Sequence, residues 1–282
     1  MKCLFHIADA DGKLSATIVK KKYPECELIG IDFHYDYKPI LKKLIVGEIV
    51  FIVDFSFPRK IMESLLESQD LVWIDHHETP IKKYGDLKIA GVRDMDFSAC
   101  ELTWRYLHPD QPMPEIVYLI GRRDVWDYKN INWQTISKFH YGLESKDTDP
   151  RTALGLAVWE ILFYQESMRN KLIEEGGIIK TYMEKVWENS CKSYSFECEL
   201  GGLKFLALNS NLGGSEQFKS LYNENKYDAV LKFTQTPNHY ACGIYTSKKG
   251  VDLTVIAEKF GGGGHIGSAG FSVKNLFEHI KL

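Results

Sequence analysis

Apolar residues in the first half of the chain fall into short runs separated by stretches with helical spacing. Cys3–Ile7, Glu27–Ile31, Glu48–Val53 and Leu71–Ile74 read as buried strands, being short, apolar and rich in branched side chains. Ser15–Lys22, after Asp11-Gly12, and Arg59–Glu67, after Pro58, carry helical periodicity, as do Ala99–Leu107 and Glu115–Ile120. Strands alternating with helices predict an α/β fold with a parallel sheet covered by helices. From Arg151 to about Tyr194 the pattern is mainly helical, and its amphipathic part, Met168–Asn189, is expected to break or kink at Gly176-Gly177. Beyond it the pattern changes to strands at Leu203–Leu208, Ala229–Phe233 and Tyr240–Tyr245. A helix at Leu253–Phe260 then ends in glycines 261–264. The expected organisation is a catalytic domain over residues 1–190, including a helical connector, and a smaller α+β domain over 191–282.

Composition narrows the partners. Net charge is −3, whereas a chain that tracks long duplex nucleic acid neutralises many phosphates with a basic field. The balance favours a small ligand with few phosphates. No stretch approaches the roughly 18 consecutive apolar residues of a membrane span. The first residues turn polar by Asp9, so the expected compartment is the cytoplasm. Six scattered cysteines without a CxxC pair read as buried, reduced thiols rather than a disulfide framework or a thiolate zinc site.

In an open parallel sheet, ligands sit at the carboxyl ends of the strands. The first strand exits into His6, Asp9 and Asp11, the third into Asp54, and the fourth into Asp75-His76-His77. A later segment carries Arg122-Arg123-Asp124-Val125-Trp126-Asp127. Each element alone has an ordinary reading: Asp-x-Asp-Gly starts turns, Asp54 can cap a helix, and Asp124 can pair with its neighbouring arginines. Together they would crowd several carboxylates, which repel one another unless cations offset them. Mixed oxygen and imidazole ligands suit Mn²⁺, Mg²⁺, Co²⁺ or Fe²⁺. Two such ions about 3.5–4 Å apart, bridged by a carboxylate, drive in-line attack of water on phosphorus.

Asp75-His76-His77 after Leu71-Val72-Trp73-Ile74 resembles the signature of the DHH phosphoesterase superfamily. His6, Asp9 and Asp11 resemble its first motif, Asp54 its second and Asp124 its fourth. The tail Gly261-Gly262-Gly263-Gly264-His265 resembles the glycine-rich motif of the DHH-associated C-terminal domain. The resemblance implies one metal held by His6, Asp9 and Asp54, and a second by Asp11, Asp54, His76 and Asp124. Asp54 is then the bridge, His77 contacts the scissile phosphate or leaving oxygen, and Asp75 orients a histidine. Gly262, Gly263, Gly264 and His265 would hold a terminal phosphate, with the site expected in the cleft between the domains. A helix cap followed by a tight turn is the competing account of those glycines. Where relatives carry an arginine this chain has Tyr245-Thr246-Ser247, so Lys248 or Lys249 is the candidate cation, and Arg123 is a further one. His34 and Asn209-Ser210-Asn211 are weaker substrate candidates. Most tryptophans read as core; Trp126, two residues after Asp124, is the exception.

The expected function is a Mn²⁺-dependent phosphodiesterase with two divalent cations, cutting short oligonucleotides to mononucleotides in the manner of nano-RNases. Alternatives are a small-nucleotide phosphoesterase (3′-phosphoadenosine 5′-phosphate, linear or cyclic dinucleotides), a pyrophosphate or polyphosphate hydrolase, and a catalytically silent nucleotide-binding regulator. The expected partner is thus a short oligonucleotide or small nucleotide, with no membrane; the reading allows a homodimer.

Overall fold

The computed structural model describes residues 1–33 and 35–282 and divides into two compact units, Met1–Lys180 and Thr181–Leu282. His34, a weak substrate candidate, lies outside the described residues. The first unit begins with β1 (Lys2–His6), α1 (Ala10–Lys22), β2 (Glu27–Ile31), α2 (Lys38–Leu41), β3 (Ile49–Val53), α3 (Arg59–Ser68), β4 (Asp70–Ile74) and α4 (Glu78–Tyr84). It continues with α5 (Ala99–Leu107), α6 (Glu115–Asp124), α7 (Trp133–Leu143), α8 (Ala153–Tyr164) and α9 (Glu166–Tyr194). The unit division falls inside α9, ten residues before the boundary expected at residue 190.

The four strands form a parallel sheet in the order β2-β1-β3-β4. Alternate side chains of β1 and β3 enter opposite cores. Cys3, Phe5, Phe51 and Val53 join Leu14, Ile18, Ile116 and Phe139, while Leu4, Val50 and Ile52 join Phe55, Phe57, Met62 and Trp73. Burial on both faces explains why these strands read as nearly unbroken apolar runs. Strand order reverses between β1 and β3, which places the switch point of the sheet at the exits of those two strands.

Gly176-Gly177 does not interrupt α9. A Cβ on Gly176 would lie 1.8 Å from the Lys138 carbonyl oxygen, and one on Gly142 would lie 2.1 Å from that of Leu172. The glycines let α7 and α9 approach backbone to backbone, and packing outweighs their low helix propensity. α6 also runs four residues past its last apolar position, Ile120, carrying Arg122, Arg123 and Asp124 on its final turn.

The second unit contains a mixed six-stranded sheet. Its strands are β5 (Phe196–Leu200), β6 (Leu203–Asn209), β7 (Ala229–Gln235), β8 (Tyr240–Tyr245), β9 (Gly263–His265) and β10 (Ser268–Val273), with α10 (Thr254–Lys259) between β8 and β9. The order is β5-β6-β7-β8-β10-β9, and only β6 and β7 pair in parallel among the described residues. Gly263 and Gly264 form β9 with His265, an edge strand of this sheet, and Gly261-Gly262 lead into it. Gly264 has φ 141°, and a Cβ on Gly262 would lie 2.0 Å from the Gly270 carbonyl oxygen. Close approach to β10 is therefore one physical reason for the glycines. All six cysteines are buried, and so are Trp73, Trp104, Trp159 and Trp187. Among the described residues, no helix is long and apolar enough to cross a membrane.

Candidate metal centre

Three strand exits and one helix end converge. β1 ends at His6, and Asp9 caps α1, its Oδ1 accepting the Gly12 N–H at 3.0 Å. Asp11 is buried in the first turn of α1. Asp54 follows β3 and is 1% exposed. Asp75-His76-His77 follow β4, and Asp124 ends α6 with its side chain 25% exposed. His6 Nδ1 stands 3.0 Å from Asp9 Oδ2 and 3.6 Å from Asp54 Oδ2. His76 Nε2 stands 3.3 Å from both Asp54 Oδ1 and Asp124 Oδ2, and 3.8 Å from Asp11 Oδ2. Among the groups whose ligand atoms lie within 4.8 Å of one another are His6/Asp9/Asp54, Asp11/Asp54/His76 and Asp54/Asp75/His77. Asp54 belongs to all three.

Asp54 carries the test of whether cations fit here. Both of its carboxylate oxygens are buried and accept no hydrogen bond. Its backbone sits at φ 54°, in the left-handed region that aspartate tolerates better than most side chains. A buried carboxylate without hydrogen bonds is costly unless charge compensates it. The donor set around it, carboxylate oxygens and imidazole nitrogens, is one that first-row divalent ions accept.

Protonation follows the same crowding. Burial works against a charged imidazole at His6, but Asp54 and Asp9 outweigh it and raise the group to about 11. At His76 burial is likewise overcome by Asp124, Asp54 and Asp11, leaving the ring well above its ordinary value. Burial and the Asp54 charge raise Asp11 to about 7, and desolvation with the Asp11 charge raises Asp124 well above the carboxylate range. Asp54 goes the other way: burial opposes ionisation, but His6, His76 and His77 hold it below that range. A cation bound here would have to displace these protons, since ligand imidazoles must be neutral and ligand carboxylates ionised.

Supporting contacts fix the geometry. Asp75 Oδ1 accepts the N–H groups of His76 and His77 at 2.8 and 3.2 Å and contacts His77 Nδ1 at 2.7 Å. Its Oδ2 accepts the Trp73 indole N–H at 3.2 Å. Both oxygens of Asp11 accept backbone N–H groups from the start of α5, Ala99 and Cys100, each at 2.8 Å. α5 itself starts with a capping box between Ser98 and Glu101, and Glu101 also binds Arg122. These partners of Asp11 were not read from the sequence, although Ser98-x-x-Glu101 ahead of an apolar run is the signal for such a helix start. Asp32, first past β2, was also missed. Its Oδ1 stands 3.7 Å from His6 Nε2, the ring nitrogen opposite the cluster.

Of the substrate candidates, Arg123 belongs to the first unit and Lys248 with the glycine run to the second. The Arg123 guanidinium lies 4.0 Å from the Trp126 ring centroid. In the second unit Lys248 Nζ donates to Asp228 at 2.6 Å, while Gly262 precedes β9, to which Gly263, Gly264 and His265 belong. Ser210 Oγ accepts the Leu212 N–H at 3.2 Å in a local turn.

No family model matches the chain. An uncharacterized protein of Acanthamoeba polyphaga mimivirus is 26% identical over 241 residues, covering 80% of this chain and 53% of the viral protein. The chain thus spans about half the length of the curated relative it matches. Among solved structures, a pGpG-specific phosphodiesterase from Vibrio cholerae superposes with a TM-score of 0.52 at 11% identity, covering 98% of this chain and 94% of the other. An exopolyphosphatase-related protein from Bacteroides fragilis gives 0.44 at 13% identity, covering 97% and 86%; it adds nothing to the fold assignment. The Vibrio likeness spans both units and shows a shared α/β fold.

Proposed function

We propose that this chain is a two-metal phosphoesterase of the DHH type, Mn²⁺-dependent, that hydrolyses short oligonucleotides to mononucleotides. The observation that carries the reading is Asp54: buried, accepting no hydrogen bond, and common to the two ligand groups His6/Asp9/Asp54 and Asp11/Asp54/His76. His6 and Asp9 would hold one cation with Asp54; Asp11, His76 and Asp124 would hold the other. When bound, the ions would supply charge for the phosphate and acidify the attacking water. The chain's own part is orientation and proton handling. Asp11 is fixed by the α5 N–H groups, so its remaining lone pairs point one way. Asp75 engages Nδ1 of His77, which leaves Nε2 as the atom to donate to a phosphate or leaving oxygen. Burial opposes charge on His77, but the Asp75 carboxylate raises its pKa and favours the donor form.

In this reading the second unit binds substrate. β9, with Gly262–His265, would receive the terminal phosphate, and Lys248 would add charge after leaving Asp228. A small-nucleotide substrate is the alternative within the same chemistry, favoured by the fold shared with a protein named for cutting pGpG. A Mn²⁺-supplemented panel separates them: pApA, RNA and DNA pentamers, 3′-phosphoadenosine 5′-phosphate, cyclic di-AMP and pyrophosphate. The reading predicts rates that fall as oligomers lengthen and stop with EDTA. Hydrolysis of pyrophosphate alone, or of nothing, would reject it.

A further inference from the structure

Trp126 sits where the backbone favours glycine. α6 ends with the Trp126 N–H donating to the Arg123 carbonyl at 3.2 Å and the Asp127 N–H donating to that of Arg122 at 3.0 Å. This is a Schellman ending whose left-handed residue is usually glycine, and here it is Trp126 at φ 52°. Among the described residues, Asp54 and Trp126 are the non-glycine residues at positive φ. Strain of this kind persists where the surrounding structure or function demands it. Aspartate tolerates this region, whereas a bulky aromatic is strained in it. At Trp126 that strain presents an indole, 36% exposed, to a cavity of about 210 Å³.

That cavity is lined by Asp9, Asp11 and Asp124 together with Arg123, Trp126, Phe139, His140, Leu143 and Glu144. Besides its 4.0 Å contact with Trp126, the Arg123 guanidinium lies 5.6 Å from the Trp133 centroid, and the two indoles are 5.9 Å apart. One wall is thus aromatic and cationic, with His140 and Glu144 supplying polar edges, while the apolar Phe139 and Leu143 of the lining are buried. Drug-sized sites run to roughly 300–1,000 Å³, so this one suits a single ring system rather than a dinucleotide. A flat aromatic wall with a few polar edges beside the acidic cluster matches a nucleobase.

We propose that this cavity is a nucleobase pocket, in which the base adjoining the scissile phosphate stacks against Trp126 and Arg123 while Glu144 accepts an N–H from its edge. The proposal rests on the phosphoesterase reading for the role of the neighbouring phosphate. It does not need turnover.

Calorimetric titration of the full chain in Mn²⁺ with AMP, GMP and ribose 5-phosphate tests it, because these probes share a phosphate and differ in the base. The wild type is expected to bind one of the nucleotides at least about tenfold more tightly than ribose 5-phosphate, as stacking of one base allows. Trp126→Gly suits the backbone and removes the indole, so the ratio should drop towards one; Trp126→Phe should keep most of it. A wild-type ratio near one, or a ratio that survives Trp126→Gly, overturns the pocket. If the ratio and its loss hold in a chain that cleaves nothing, the pocket stands and the phosphoesterase reading falls. An active chain with a ratio of one gives the reverse.

Discussion

A buried carboxylate gives up hydration and normally regains it as hydrogen bonds from the protein. Asp54 regains none, and its neighbours His6 and His76 approach at 3.6 and 3.3 Å. Asp75, equally buried, is saturated by two backbone N–H groups, an imidazole and an indole. The two residues therefore differ in kind: the oxygens of Asp54 accept no hydrogen bond, while Asp75 holds His76 and His77 in place. Asp75→Asn should lower kcat about 10- to 100-fold with little change in KM, as loss of a supporting partner does; steady-state kinetics on pApA would check it. His140 gives a pH prediction. Burial and the Arg123 charge push its imidazole down to about 3, so it stays neutral when folded. The unfolded chain protonates it near 6.5. Its contribution is thus complete above about pH 6.5 and lost towards pH 3, at about 1.4 kcal/mol per pH unit. Urea unfolding of His140→Gln between pH 6 and 4 should show a shallower fall in stability than the wild type.

Elements were legible where local pattern and tertiary demand agreed. β2, α5 and β8 stand where apolar spacing placed them, and strand-exit reasoning picked out the acidic and histidine positions that the sheet brings together. Gly176-Gly177 reads locally as a helix break, but the reason for it lies on another helix. Gly176→Ala should lower stability by about 1–3 kcal/mol, because the new Cβ meets backbone at 1.8 and 2.5 Å. Gly177→Ala, whose nearest neighbour is a flexible Lys138 carbon at 3.5 Å, should be neutral or stabilising through helix propensity. Thermal unfolding of the pair separates a glycine held by close backbone packing from one whose Cβ position has room. The end of α6 was hidden for a related reason. Its last turn is polar, so periodicity stopped at Ile120 while the helix ran on to Asp124. Asp11's link to α5 spans 88 residues in sequence, a separation that local patterns do not report.

At the scale of the whole molecule, a parallel sheet with its switch point beside β1 and β3 supplies one unit, and a mixed sheet ending in a glycine-rich strand supplies the other. The slight negative charge of the chain fits a ligand held by local cations rather than by a broad basic field. Everything proposed about chemistry depends on Asp54 being shared between two ions. Removal of a shared ligand should cost more than loss of a supporting residue, so Asp54→Ala should reduce turnover more than about a hundredfold. The most direct test is calorimetric titration of Mn²⁺ into the metal-free chain and into Asp54→Ala. The account predicts two ions per wild-type chain and loss of both high-affinity sites in the variant. Two ions bound equally well by Asp54→Ala, or no high-affinity site in the wild type, would contradict it.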